Sequence, residues 1–171
     1  ETRCINSFDR EKYYQRFEEL GVTYGAAFQG IQNLKFGDNE ALADVSLSED
    51  VSDKDFLAHP ALLDACVQLI GAALLGSSEE GESADVYMPV GLESLNLFEK
   101  LPRNVRAHAK IYDQESALLA GDISVYSKDG KLLAFLKNMR FKRVRSELLA
   151  GADEVQKAVS YTHLRAHETA T

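Results

Sequence analysis

The chain has 171 residues, 45% of them hydrophobic and 27% charged, enough for one ordinary domain with a real core but not for a second large one. A formal net charge of −8 argues against nucleic acid as a partner, because a phosphate backbone recruits lysine and arginine. Cys4 and Cys66 lie too far apart for a disulfide framework or a zinc-ligand spacing, no apolar run reaches the roughly eighteen residues of a membrane span, and no secretory leader is visible, so a reducing, cytoplasmic setting without a membrane partner is expected.

Residues 1–7 read as the remnant of a linker, and a first residue of Glu1 is what a stretch from inside a longer protein, or a processed one, would have. Ser7 or Asp9 suits the cap of a short helix in which Tyr13, Phe17 and Leu20 recur at helical spacing until Gly21. "FQGIQNLKF" from Phe28 and "EALADVSL" from Glu40 read as two strands joined by a turn at Gly37–Asn39. After the polar loop "SEDVSDKD" comes "HPALLDACVQLIGAALL", His59 to Leu75, where Pro60 fits the first helical position of a long, nearly all-apolar helix that ends before Gly76 and the loop "SSEEGES". "VYMPVGLESLNLF" from Val86 carries Pro89 and Gly91 and reads as a bent or edge strand. Val105, Ala107, Ala109 and Ile111 alternate with Arg106, His108, Lys110 and Tyr112, the mark of a half-buried strand. "GDISVYSKDGKLLAFLKNMRFKRV" reads as a hairpin turning at Asp129-Gly130. Residues 146–159 read as a weak helix or linker. Residues 160–171, "SYTHLRAHETAT", have neither apolar period nor turn chemistry, resemble translated adapter sequence, and are set aside as a disordered or extraneous tail. His163 and His167 stand i, i+4 there without a third ligand, so no metal site is expected. The predicted class is α+β: an antiparallel sheet of about five to seven strands curled around one long helix, since a helix apolar on all sides must be surrounded.

That helix raises a chemical question, because Asp64 and Gln68 sit one turn apart on its face. A carboxylate removed from water costs several kcal/mol, and desolvation raises its pKa, which suits a general acid. The Gln68 amide is placed to donate to it and fix its rotamer. A second reading stays open, in which Asp64 reaches solvent at a helix edge or pairs in a purely structural role. His59 reads as a helix-start residue and Cys66 as a small core residue, since no flanking lysine or histidine would lower its pKa.

"YGAAFQGIQNL" from Tyr24, "HPALLDACVQ" from His59, "MPVGLESL" from Met88 and the closing "DGKLLAFLKNMRFKRV" follow one another as in a known family. In that order they resemble the C-terminal half of a dehydratase domain from a modular polyketide synthase, over residues 8–145. The resemblance implies a double hot-dog fold of which this chain supplies one hot-dog, the N-terminal one being a missing partner. It implies removal of water from a β-hydroxyacyl thioester carried on the phosphopantetheine arm of an acyl carrier protein, with no cofactor held by the domain itself and with other synthase domains as further partners. A histidine from the N-terminal hot-dog would take the α-proton and Asp64 would protonate the departing hydroxyl. Gln68 would orient Asp64, Tyr24, Gly25 and Phe28 would line the substrate tunnel, and Pro89, Val90 and Gly91 would form a loop near the same site. The family has proline where this chain has Ala26, and His59 does not match its catalytic-histidine motif, so the isolated chain is expected not to dehydrate substrate. Other classes compatible with the pattern are a catalytically silent structural half, a cyclising relative of the product-template or pyran-forming kind, and a free-standing hot-dog thioesterase or hydratase. Lys137, Arg140, Lys142, Arg143 and Arg145 concentrate positive charge. Arg140 and Arg143 would either help dock an acidic carrier protein or guard a strand edge against pairing.

Overall fold

The computed structural model describes residues 3–75, 86–114 and 118–144; the "SSEEGES" loop, Arg145, the 146–159 segment and the tail with His163 and His167 lie outside the described residues. In chain order the elements are β1 (Asn6–Ser7), α1 (Arg10–Glu19), a 3-10 turn (Ala26–Phe28), β2 (Ile31–Gly37), β3 (Glu40–Ser46), α2 (Pro60–Leu75), β4 (Val86–Leu97), β5 (Asn104–Gln114), β6 (Leu118–Tyr126) and β7 (Leu132–Val144). The strands form one antiparallel sheet in the order β1-β2-β3-β5-β6-β7-β4.

Local chemistry accounts for the boundaries. Asp9 caps α1 by accepting a hydrogen bond from the Lys12 amide at 3.1 Å. The helix stops because Gly21 takes φ 83°, which lets its own N–H reach the Glu18 carbonyl and the Val22 N–H reach that of Phe17. Gly130, at φ 85°, turns β6 into β7. In β4, Val90 is an extra residue between Pro89, opposite Phe141, and Gly91, opposite Arg140, so the strand is bulged where the proline falls. Two boundaries differ from the sequence reading. Asn6–Ser7 pairs with Phe36 and Lys35, so the segment taken as linker carries an edge strand. The stretch from Phe28 is not yet strand: the Gln29 side chain donates to the Tyr24 carbonyl at 2.8 Å and closes a compact loop, delaying β2 to Ile31.

The core lies between α2 and the middle of the sheet. Ala41, Ala43 and Val45 of β3, Val105, Ala107, Ala109 and Ile111 of β5, and Ile123 and Val125 of β6 are buried in one cluster with Leu62, Ala65, Leu69, Ile70 and Ala73 of α2. The alanines on β3 and β5 let the helix lie close. Each large aliphatic side chain so buried contributes about 1.5–3 kcal/mol. On the other side of α2, a Cβ added at Gly71 would stand 2.8 Å from the Phe17 ring, so the missing side chain is what admits α1.

Glu40, buried at the start of β3, is held by Arg3 at 3.0 Å and His108 at 3.1 Å. Burial alone pushes its carboxyl pKa up, but the hydrogen bonds and charges of Arg3 and His108 outweigh it and leave the pKa below the ordinary value. A depressed carboxyl pKa adds stability that is full above the unfolded value of about 4.3 and is lost as pH falls through the folded value. Urea unfolding followed from pH 6 downward is therefore expected to show an acid-side loss of stability that Glu40→Gln reduces; an identical acid limb in the variant would refute this.

Candidate active site

α2 brings Asp64 and Gln68 onto one face, and the Gln68 side-chain nitrogen donates to Asp64 Oδ2 at 2.8 Å. The same nitrogen donates to the Phe28 carbonyl at 3.0 Å, which ties the 3-10 turn to the helix. Gln68 is buried, with its Oε1 accepting from the Tyr14 hydroxyl at 3.2 Å. Tyr14 in turn accepts from the Ile31 backbone N–H at 3.1 Å. The next-door Tyr13 donates instead to the Gln68 backbone carbonyl at 2.7 Å. Aromatic edges lock this corner: Tyr14 meets Tyr24 at 5.9 Å between ring centroids, and Phe17 meets Tyr24 at 5.4 Å.

The phenols of this corner titrate high. Burial, then the Asp64 carboxylate, push the Tyr24 pKa up to about 12. Burial also brings Tyr14 to about 12, the Ile31 N–H opposing and Asp64 adding to the rise. Both stay protonated donors at neutral pH. The Cys66 thiol is likewise pushed up to about 12, by burial first and Asp64 second, which fits an inert core residue.

The structure thus gathers Asp64, Gln68, Tyr24 and the Phe28 backbone. Asp64 itself is half-buried, between the enclosed carboxylate and the solvent-reaching one at a helix edge that the sequence leaves open. The reason is directional: the sheet takes the stripe of Leu62, Ala65 and Leu69, α1 and the 3-10 turn lie along Gln68 and Gly71, and Asp64 falls at their margin with Leu63 and Val67, which are also half-buried. Gly25 precedes the 3-10 turn, exposed, with open space where a Cβ would be. His59 accepts from the Ala61 N–H through Nδ1 at 3.1 Å, a helix-start contact. The hydrogen bonds that build the Asp64 site do not reach Pro89, Val90 and Gly91, which lie on β4 at the edge opposite β1 and β2. Arg140 stands over Gly91, its guanidinium 3.3 Å from where a Cβ would be. Arg140 and Arg143 are three residues apart on β7 and so fall on opposite faces, not on one basic strip.

Tyr14 is the functional candidate missing from the sequence reading. It lies one residue off the Tyr13–Phe17 stripe; the signal for it was a pair of adjacent aromatics in an otherwise charged helix, both of which are buried. Among the described residues no group of three or more His, Cys, Asp or Glu side chains is placed to hold a metal, and no helix is long and apolar enough to cross a membrane.

A single antiparallel sheet packed on a long helix that presents an acid–amide pair defines an α+β domain of the hot-dog dehydratase kind, and solved dehydratase domains are among the structures that it resembles. The chain belongs to the polyketide synthase dehydratase family: residues 1–150 match the model described as polyketide synthase dehydratase N-terminal domain. It is 27% identical over 147 residues to polyketide synthase PksN of Bacillus subtilis, covering 85% of this chain and 2% of that protein. Among solved structures it resembles an inactive mutant of the CurK dehydratase in which an aspartate is replaced by asparagine, at 29% identity and a TM-score of 0.76 over 87% of this chain. It also resembles an inactive CurK mutant in which a histidine is replaced by phenylalanine, at 31% identity and a TM-score of 0.75 over 86% of this chain. The chain spans 52% of each of those two structures, about half their length.

Proposed function

We propose that this chain is the C-terminal hot-dog of a polyketide synthase dehydratase and supplies the general acid for removing water from a β-hydroxyacyl thioester on an acyl carrier protein. The observation that carries the reading is the 2.8 Å hydrogen bond from Gln68 to Asp64 Oδ2 on α2. That bond occupies one carboxyl oxygen and leaves Oδ1 to hold the proton for the leaving group. Hydroxide leaves poorly, so a proton delivered during C–O cleavage lowers the barrier, typically by 10²- to 10⁴-fold, roughly the range for a positioned general acid. The inactivity of the CurK mutants lacking an aspartate or a histidine supports a two-residue mechanism in that relative, with an aspartate as one member. Here the base is assigned to a histidine of the N-terminal hot-dog, Gln68 orients the acid, and Tyr24, Gly25 and Phe28 line the acyl chain's path.

The half assigned here differs from the wording of the matched family model, and it rests on the order of the Tyr24-Gly25, His59-Pro60 and Pro89-Val90-Gly91 motifs together with the aspartate on α2. β4 adds support for a second half. Among the described strands it pairs with β7 alone, which leaves its other edge for strand pairing, and Leu92 and Leu95, on its opposite faces, are 39% and 44% exposed.

The isolated chain, incubated with a β-hydroxyacyl thioester mimic, is expected to give no turnover above the uncatalysed rate, and to gain it when the N-terminal hot-dog is added. Turnover by the chain alone, or none from the mixture when the intact domain is active, would refute the assignment.

A further inference from the structure

We propose that Tyr14 is a positioning residue of this site, setting which end of the Gln68 amide faces Asp64; the proposal rests on reading Asp64 as the proton donor.

The direction of each hydrogen bond is fixed by what its atoms are able to do. A backbone N–H only donates, so the Ile31 N–H, 3.1 Å from Tyr14 Oη, makes that oxygen an acceptor there. The one proton of Tyr14 then goes to the Gln68 amide atom 3.2 Å away. An amide NH₂ does not accept it, so that atom is Oε1, and the NH₂ is turned to the other side. There it meets two acceptors, the Phe28 carbonyl at 3.0 Å and Asp64 Oδ2 at 2.8 Å. Reversing the amide would set Oε1 against a carbonyl and a carboxylate and leave the Tyr14 proton without an acceptor. The order Ile31, Tyr14, Gln68, Asp64 therefore runs one way.

Tyr14 is well built for this. Its ring is buried, packed at 5.7 Å against Tyr13 and 5.9 Å against Tyr24, with the Arg10 guanidinium 5.7 Å above it. Its raised pKa keeps the hydroxyl a donor across the working range of pH. The contact is distant in sequence, linking α1 to α2, so the helix that looks like a cover for the core also orients the acid.

The test compares Tyr14→Phe with Tyr13→Phe in the complete dehydratase domain. Each change removes one buried phenolic hydroxyl, but that of Tyr13 serves the Gln68 backbone, not its side chain. For Tyr14→Phe, kcat is expected to fall about five- to tenfold, the scale of one lost buried hydrogen bond, with KM within about twofold. The Gln68 side-chain NH₂ resonances in ¹⁵N NMR are expected to lose their protection from solvent exchange. Tyr13→Phe is expected to leave both readouts at the wild-type level. Unchanged Gln68 exchange and kcat in Tyr14→Phe, or equal changes in Tyr13→Phe, would overturn the proposal. Should Tyr14→Phe not fold, the wild-type domain still carries the test: with its NH₂ held between the Phe28 carbonyl and Asp64, the Gln68 side-chain amide is expected to exchange slowly with solvent, and exchange as fast as that of a free amide would overturn the proposal. If Asp64→Asn keeps full activity while Tyr14→Phe still frees the Gln68 amide, the acid assignment fails and the orientation of the amide stands.

Discussion

Asp64→Asn, made in the complete dehydratase domain, is expected to lower kcat on a β-hydroxyacyl thioester by roughly 10²- to 10⁴-fold with KM changed only a few-fold. Asparagine keeps the size of the side chain and an oxygen to accept from Gln68, which donates to Asp64 Oδ2 at 2.8 Å, so the loss is confined to the proton. The aspartate-to-asparagine mutant of the CurK dehydratase is inactive, which is the outcome expected of an equivalent residue. Steady-state kinetics on purified wild type and variant are sufficient, and a variant within about threefold of wild type would remove Asp64 from the chemistry.

Leu69→Ala is expected to cost about 2–5 kcal/mol of folding free energy, a large part of the 5–15 kcal/mol that is roughly typical of a domain. Leu69 has no exposed surface and lies in the cluster where α2 meets β3 and β5. Those strands face the helix with alanines, and Ala41, Ala43, Ala107 and Ala109 have no longer side chain with which to fill a cavity. Equilibrium urea unfolding measures the cost, and a loss under about 1 kcal/mol would contradict the tight packing of helix on sheet.

Much of this arrangement is legible in the sequence because it is local. The period of two in β5 predicts its buried face, Val105, Ala107, Ala109 and Ile111, and Pro60 marks the start of α2. Pro89 and Gly91 point to a bent or edge strand, and β4 is bulged at Val90 and lies at the edge of the sheet among the described residues. The Asp64–Gln68 contact follows from helical spacing alone. What stays hidden depends on contacts distant in sequence. Pairing of β4 with β7 leaves no periodic trace, nor does the two-residue β1, whose Asn6 and Ser7 are polar. Tyr14 reads as one aromatic among charges until α1 is laid across α2. The half-burial of Asp64 is hidden for the same reason, since periodicity says which residues share a face but not how far a neighbouring element extends over it. Arg140 and Arg143 look like one patch in the one-dimensional sequence and are separated by strand alternation.

The proton-donor role of Asp64 is tested most directly by changing the leaving group. In a β-sulfonyloxyacyl thioester the sulfonate leaves as a stable anion that needs no proton while the base takes the α-proton, so in the complete domain Asp64→Asn is expected to eliminate sulfonate at close to the wild-type rate while failing on the β-hydroxy substrate. Equal loss on both substrates would contradict the account.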